Sequence, residues 1–258
     1  MRPLVLAALL VSLLATPSHA TTASVRGGDV SWPNCPLGMG IPERPSQGLP
    51  MPVEAARFVV VGLTNGPGFT PNPCVASQVA WARSHQRALG AYAVLTYPTP
   101  PQLARYGGHG SGAQRLFRAG AGEANVTLRT ARQAGLSTPT IWVDVEPVRL
   151  RPWSAVRARN NAVIDGAVAA YRAAGLRVGF YSYEYGWRQI TGGRQLPAIP
   201  TWVPSGDDQQ GSALRRCTQR SFSGGPVALA QWTAGQRDHD LTCPRHSSVA
   251  HLRRAFGR

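Results

Sequence analysis

The chain has 258 residues, of which 27 are arginine, none lysine and only 12 acidic, for a formal net charge of +15. The length is ample for a sizeable core, and no repeat of fixed period or long Ser/Gly linker divides it. The arginines are spread along the chain and no nucleic-acid-binding motif accompanies them, so the charge speaks for a solvated basic surface, or for attraction to an anionic wall or acidic glycan.

Arg2, the apolar run over residues 4–14 and the small-residue site Ser18-His19-Ala20 read as a secretory signal peptide spanning residues 1–20. That run is too short to span a bilayer, and no later segment carries about eighteen apolar residues in a row. Residues 21–258 are expected to form one exported domain. Four cysteines remain there: Cys35, Cys74, Cys217 and Cys243. An even count in an exported chain implies two disulfides, and three pairings are open. The expected one is Cys35–Cys74 with Cys217–Cys243, each stapling its own end of the chain. No C-x-x-C and no Cys/His cluster at ligand spacing points to zinc.

Residues 29–32 follow a glycine pair and read as a first strand, with Asp29 early in it. Residues 58–64 form a strong second strand, broken by Asn65-Gly66-Pro67-Gly68. Residues 73–87 read as a helix, with Asn72 as N-cap and Pro73 at the first helical position. A third strand over 91–97 ends at Pro98-Thr99-Pro100-Pro101. A Gly-rich loop over 106–112 leads into a helix over 113–134, capped by Gly135. Residues 140–146 form the fourth strand, 154–174 a long helix ending at Gly175, and 177–183 the fifth strand. A short helix or turn over 186–191, a strand over 201–203 and short strands over 227–232 and 240–243 complete the chain. Strand–helix alternation of this kind predicts an α/β fold: a single-domain, irregular (β/α) barrel resembling a TIM barrel, with a parallel sheet.

The stretch Thr140-Ile141-Trp142-Val143-Asp144-Val145-Glu146-Pro147 carries the most information. Asp144 and Glu146 end an apolar strand two residues apart, so they share a face, with Cα atoms roughly 6.6–6.8 Å apart. Two like charges in an apolar setting do not both ionise cheaply, so one holds its proton. A protonated carboxyl beside an ionised one is what glycosidic bond cleavage requires. Asp29, Glu184 and Asp240 also fall at expected strand ends, and the C-terminal ends of parallel barrel strands gather on one face. Glu184 reads equally as a cleft residue or an exposed strand-end acid. Near the same ends lie Tyr97, Tyr181, Tyr183, Trp202 and Trp232, along with Trp32, Trp142 and Tyr185. Any one of them alone is ordinary core packing. Grouped with acids they suit a carbohydrate cleft, since sugar rings stack on aromatic faces while acids and amides bind the hydroxyls.

Gly28-Asp29-Val30-Ser31, Asp144-Val145-Glu146, Gly179-Phe180-Tyr181-Ser182, and Gln231-Trp232 with Asp240 occur in an order that resembles glycoside hydrolase family 25, the lysozyme or muramidase family, and more closely its exported actinobacterial relatives. The pieces span nearly the whole mature chain. The resemblance implies an irregular β/α barrel cleaving the β-1,4 bond between N-acetylmuramic acid and N-acetylglucosamine, with peptidoglycan or a related wall glycan as partner and no cofactor or metal. It also implies Glu146 as general acid, and Asp144 as assistant to a substrate N-acetyl group or as stabiliser of charge at the anomeric carbon. Asp29 and Asp240 would line the cleft, orienting substrate and tuning Glu146. From their grouping with the acids, Tyr97, Tyr181, Tyr183, Trp202, Gln231 and Trp232 are the expected substrate contacts. The chain departs from the family where Asn34-Cys35-Pro36 replaces a Gln-Gly turn. Asp238-His239-Asp240 offers two candidates for the last acid, and Asp240 is preferred because the apolar Leu241 follows it.

Two other functions fit the same residues. One is a barrel that binds glycan or wall without cleaving it. The other is a metal-dependent hydrolase using Asp29, Asp144 and Glu146 as ligands.

Overall fold

Phe58-Val59-Val60-Val61, an aromatic followed by three β-branched residues, is buried along its whole length, as a strand covered on both faces should be. A computed structural model describes residues 23–257; the expected signal peptide, residues 1–20, lies outside them. In chain order the strands are β1 (Arg26–Val30), β2 (Gly40–Ile41), β3 (Arg44–Pro45), β4 (Phe58–Gly62), β5 (Ala88–Val94), β6 (Thr140–Asp144), β7 (Arg177–Tyr181), β8 (Thr201–Pro204), β9 (Val227–Ala234) and β10 (Arg237–Thr242). Eight of them close a barrel in the order β1-β10-β9-β8-β7-β6-β5-β4, while β2 and β3 form a separate small hairpin. The single α/β barrel expected from the sequence is therefore present.

Its sheet is not wholly parallel. β10 runs antiparallel to both neighbours, β9 and β1. The cause is local: Ala234 faces Arg237 across a two-residue turn. Gly235 and Gln236 both have positive φ there, at 58° and 60°. Such a tight turn can only return the chain antiparallel, because a parallel partner needs a long crossover.

The helices are α1 (Val75–Ser84), α2 (Pro100–Gly107), α3 (Gly112–Gln133), α4 (Arg157–Ala173), α5 (Glu184–Thr191), α6 (Gln210–Arg216) and α7 (Val249–Ala255). α2 occupies the segment read from sequence as a strand stop and loop. Thr99 caps it, and Pro100 and Pro101 fill the first turn, where a missing N–H costs nothing. α6 and α7 also lie where no helix was expected. α1 begins two residues later than expected because Cys74, not Asn72, is its N-cap. The Asn72 side chain instead accepts from the Cys74 N–H at 3.1 Å and donates to the Gly62 carbonyl at 2.7 Å. Strands expected to reach residues 64, 97, 146 and 183 end earlier, at Gly62, Val94, Asp144 and Tyr181.

Both expected disulfides are present. Cys35–Cys74 ties the loop after β1 to the start of α1, and Cys217–Cys243 ties the end of α6 to the end of β10. The end of the barrel where the strands begin is closed by the C-terminal segment. Phe256 stacks on Phe58 at 4.4 Å between ring centroids, and Gly257 exchanges two backbone hydrogen bonds with Leu89. No helix among the described residues is long and apolar enough to cross a membrane.

Candidate active site

Alternation along each strand decides which side chains enter the barrel. On β6 it turns Trp142 and then Asp144 inward. The ladder continues one residue past the strand, through the Val145 N–H to the Tyr181 carbonyl at 3.0 Å. Pro147 disfavours helical geometry at Glu146, so the chain stays extended there. Asp144 and Glu146 therefore face the same way, and both line a cavity of about 270 Å³ at the end where the parallel strands finish. Asp29 from β1, Tyr92 from β5, Tyr181 from β7 and Asp238 from β10 share its wall. Glu146, Tyr181 and Gln231 also belong to an adjoining cavity of about 360 Å³, walled on its far side by Asp207 and Trp232. The two meet at Glu146 and form one cleft across the barrel end.

A hydrogen-bond chain fixes the floor. The Tyr181 hydroxyl donates to Gln231 Oε1 at 2.7 Å, and Gln231 Nε2 donates to Asp29 Oδ2 at 2.7 Å. Asp29 and Asp240 lie close enough that each perturbs the other's ionisation. Trp202 Nε1 donates to Asp240 Oδ1 at 2.8 Å. Asp144 Oδ1 and Asp240 Oδ2 are buried without a partner.

No arginine lines either cavity, although the chain has 27. With no cation at hand, the acids respond to burial and to each other. Burial pushes Glu146 up to about 7. Burial, then the charge of Glu146, raises Asp144 well above the usual carboxylate range. Burial and the charges of Asp240 and Asp238 raise Asp29, against the opposing effect of the Gln231 hydrogen bond. Burial and Asp238 likewise raise Asp240. Among the described residues, no group of three His, Cys, Asp or Glu side chains is arranged to hold a metal ion.

Residues 114–214 match the family model described as Lysozyme-like protein 1. Lysozyme-like protein 5 of Caenorhabditis elegans is 35% identical over 72 residues, which is 28% of this chain and 32% of that protein. The chain thus spans about a third of the length of that curated relative. A bacterial lysozyme from Streptomyces coelicolor superposes with a TM-score of 0.60 at 16% identity, covering 91% of this chain and 98% of that one. A muramidase from Trichobolus zukalii gives 0.56 at 18%, and a family GH25 lysozyme from Aspergillus fumigatus 0.56 at 16%, each covering 91% of this chain and 100% of the other. The fold is that of solved lysozymes and muramidases.

Within this barrel the expected site residues take up different positions. Asp29, Asp144, Glu146, Tyr181 and Gln231 are brought together, Asp29 being the fourth residue of a five-residue strand rather than early in it. Asp240 and Trp202 lie lower: Asp240 is fully buried and Trp202 1% exposed, so they support the floor, although Trp202 also reaches the cavity wall. Trp232 walls the adjoining cavity and stacks on His239 at 5.0 Å. Tyr183 is close enough to Glu146 for that charge to raise it, after burial. Tyr97 is not on either cavity wall. It follows β5 by three residues and packs against the apolar core, because the strand ends at Val94. Glu184 is exposed in the first turn of α5. Sequence reasoning missed Tyr92 and left Asp238 as the lesser alternative. Period-two alternation back from the end of β5 would have found Tyr92, and the Asp238–Asp29 register puts Asp238 at the cleft mouth.

Proposed function

We propose that this chain is a secreted glycosidase of the muramidase kind, cleaving β-1,4 bonds of peptidoglycan or a related wall glycan. One observation carries the reading: a half-buried Glu146, holding its proton up to about pH 7, stands at the junction of two cavities with Asp144 buried beneath it. Glu146 is the acid that protonates the leaving oxygen, because it alone of the pair reaches the cleft on both sides. Asp144 assists a substrate N-acetyl group or opposes positive charge developing at the anomeric carbon. Asp29, Asp240 and Gln231 hold the floor under the reacting sugar, and Tyr181, Tyr183, Trp202 and Trp232 supply aromatic and hydroxyl contacts. The ordered motifs and the expected leader over residues 1–20 support a reading as an exported protein akin to actinobacterial relatives, and two disulfides suit an oxidising exterior.

The test is reducing-end release from purified peptidoglycan by residues 21–258, beside the Glu146→Gln protein. General acid catalysis is worth about 10²–10⁴-fold, so the variant loses at least about a hundredfold while its melting temperature holds. A chelator leaves the rate unchanged. A wild-type protein that binds the glycan and releases no ends would sink the enzymatic reading in favour of a binding barrel.

A further inference from the structure

A cavity larger than either part of the cleft lies at the opposite end of the barrel from the acids. It encloses about 500 Å³, against about 360 and 270 Å³ for the two parts of the cleft, and falls within the range of small-molecule sites. Its walls come from the starts of β6, β7 and β9 and the end of β10, and the turn before α7 and α7 itself form one side.

Its chemistry is divided. Trp142, Val178, Ile199 and Leu229 give it an apolar interior. Arg172, Arg177 and Arg254 give it a cationic rim, His246 and His251 lie beside them, and neither Asp nor Glu lines it. None of the three guanidinium groups makes an ion pair or side-chain hydrogen bond among the described residues; the ion pair found there is Arg194–Asp165, elsewhere. The basic side chains on the rim crowd each other. The His246 and His251 rings meet edge to face at 5.1 Å, and burial, then His251, Arg254 and Arg245, lower the His246 pKa. The indole N–H of Trp142, a residue 1% exposed, has no acceptor.

We propose that this cavity binds an anionic amphiphile, a carboxylate or phosphate monoester carrying a short apolar chain. The chain lies against Trp142, Val178 and Leu229. The anion sits at Arg177 and Arg254, where guanidinium forks match either head group. The site is separate from the cleft and stands whether or not the cleft is catalytic.

Octanoate and octyl phosphate are the probes, with octanol and octyltrimethylammonium as neutral and cationic counterparts. Each is titrated into 15N-labelled protein while the tryptophan indole N–H signals are followed, assigned by Trp142→Phe and Trp232→Phe. At least one anion is expected to shift Trp142 and not Trp232, with a Kd on the order of 0.1 mM for a ligand of this size. Octanol and the cation bind at least about tenfold more weakly, since they lose the charge-assisted contacts. Arg177→Ser with Arg254→Ser weakens anion binding by a similar factor, and a thermal melt confirms the variant is folded. Binding of only the carboxylate or only the phosphate supports the site and identifies the head group. Equal binding of octanol and octanoate, a shift at Trp232 instead of Trp142, or no shift with either anion at about 1 mM overturns it. The octanol comparison uses the wild-type protein, so the test does not depend on the variant folding.

Discussion

Glu146 occupies a position where burial opposes ionisation while solvent and substrate still reach it. Its upward shift to about 7 sets the pH dependence. Below that value Glu146 carries the proton a general acid must give, and above it the proton is lost. The rate at saturating glycan should therefore fall as pH rises through about 7. A profile that stays flat to pH 9 would remove Glu146 from the acid role. The floor makes a second prediction. Trp202→Phe takes the indole donor from Asp240 Oδ1 at a fully buried carboxyl. An unmet buried acceptor costs about 1–3 kcal/mol, so the urea midpoint of this variant should fall by a corresponding amount. An unchanged midpoint would mean that the Asp240 proton or a solvent path satisfies that oxygen.

At the scale of elements, the longest helices, α3 and α4, cross on glycines. A Cβ on Gly120 would collide with the Val163 carbonyl, and one on Gly166 with the Phe117 carbonyl. Both obstacles are backbone, which cannot rotate aside. In an isolated helix, Gly→Ala gains about 1 kcal/mol. Here overpacking should reverse the sign, so Gly166→Ala is expected to destabilise by about 1–3 kcal/mol in chemical denaturation. A stabilised variant would show that the helices can part at little cost. On α3, Glu123 is buried and accepts the Thr96 N–H at 3.0 Å.

For the whole molecule, the buried acids impose a direction on stability. Asp29, Asp144, Asp240, Glu123 and Glu146 all keep their protons to higher pH in the folded state, chiefly because burial disfavours the charge. The unfolded chain releases those protons in the ordinary carboxylate range, so folding takes up protons above it. These groups therefore stabilise least at high pH: their contribution declines as pH rises from about 4 and, for Glu146, levels off beyond about 7. Glu123→Gln, which keeps an acceptor for Thr96 without the ionisation, should raise the urea midpoint more at pH 7.5 than at pH 4.5. An equal effect at both would place the Glu123 pKa in the normal range. The two disulfides close loops with sequence separations of 39 and 26 residues, each worth about 2–4 kcal/mol. Reduction should accordingly lower the melting temperature markedly without altering the positions of Asp144 and Glu146, since neither bond touches β6.

The sequence by itself determined what local chemistry specifies. Period-two alternation and an apolar run ending in Asp144-Val145-Glu146 are short-range facts, and they sufficed to mark the barrel strands and the shared face of the two acids, though not the β2–β3 hairpin. The disulfide pairing also agreed with expectation. Tertiary structure decided what depends on distant chain. The antiparallel β10 follows from a two-residue turn whose consequence appears only when the barrel closes. Tyr97 left the cleft and Tyr92 entered it because β5 ends at Val94, a boundary set by its neighbours in the ladder. Asp238 reached the wall while Asp240 went below, because β10 pairs with β1 in one particular register. The raised pKa values belong to this level too. They arise from burial and from acids drawn from β1, β6 and β10, separated by more than two hundred positions in the chain between Asp29 and Asp240.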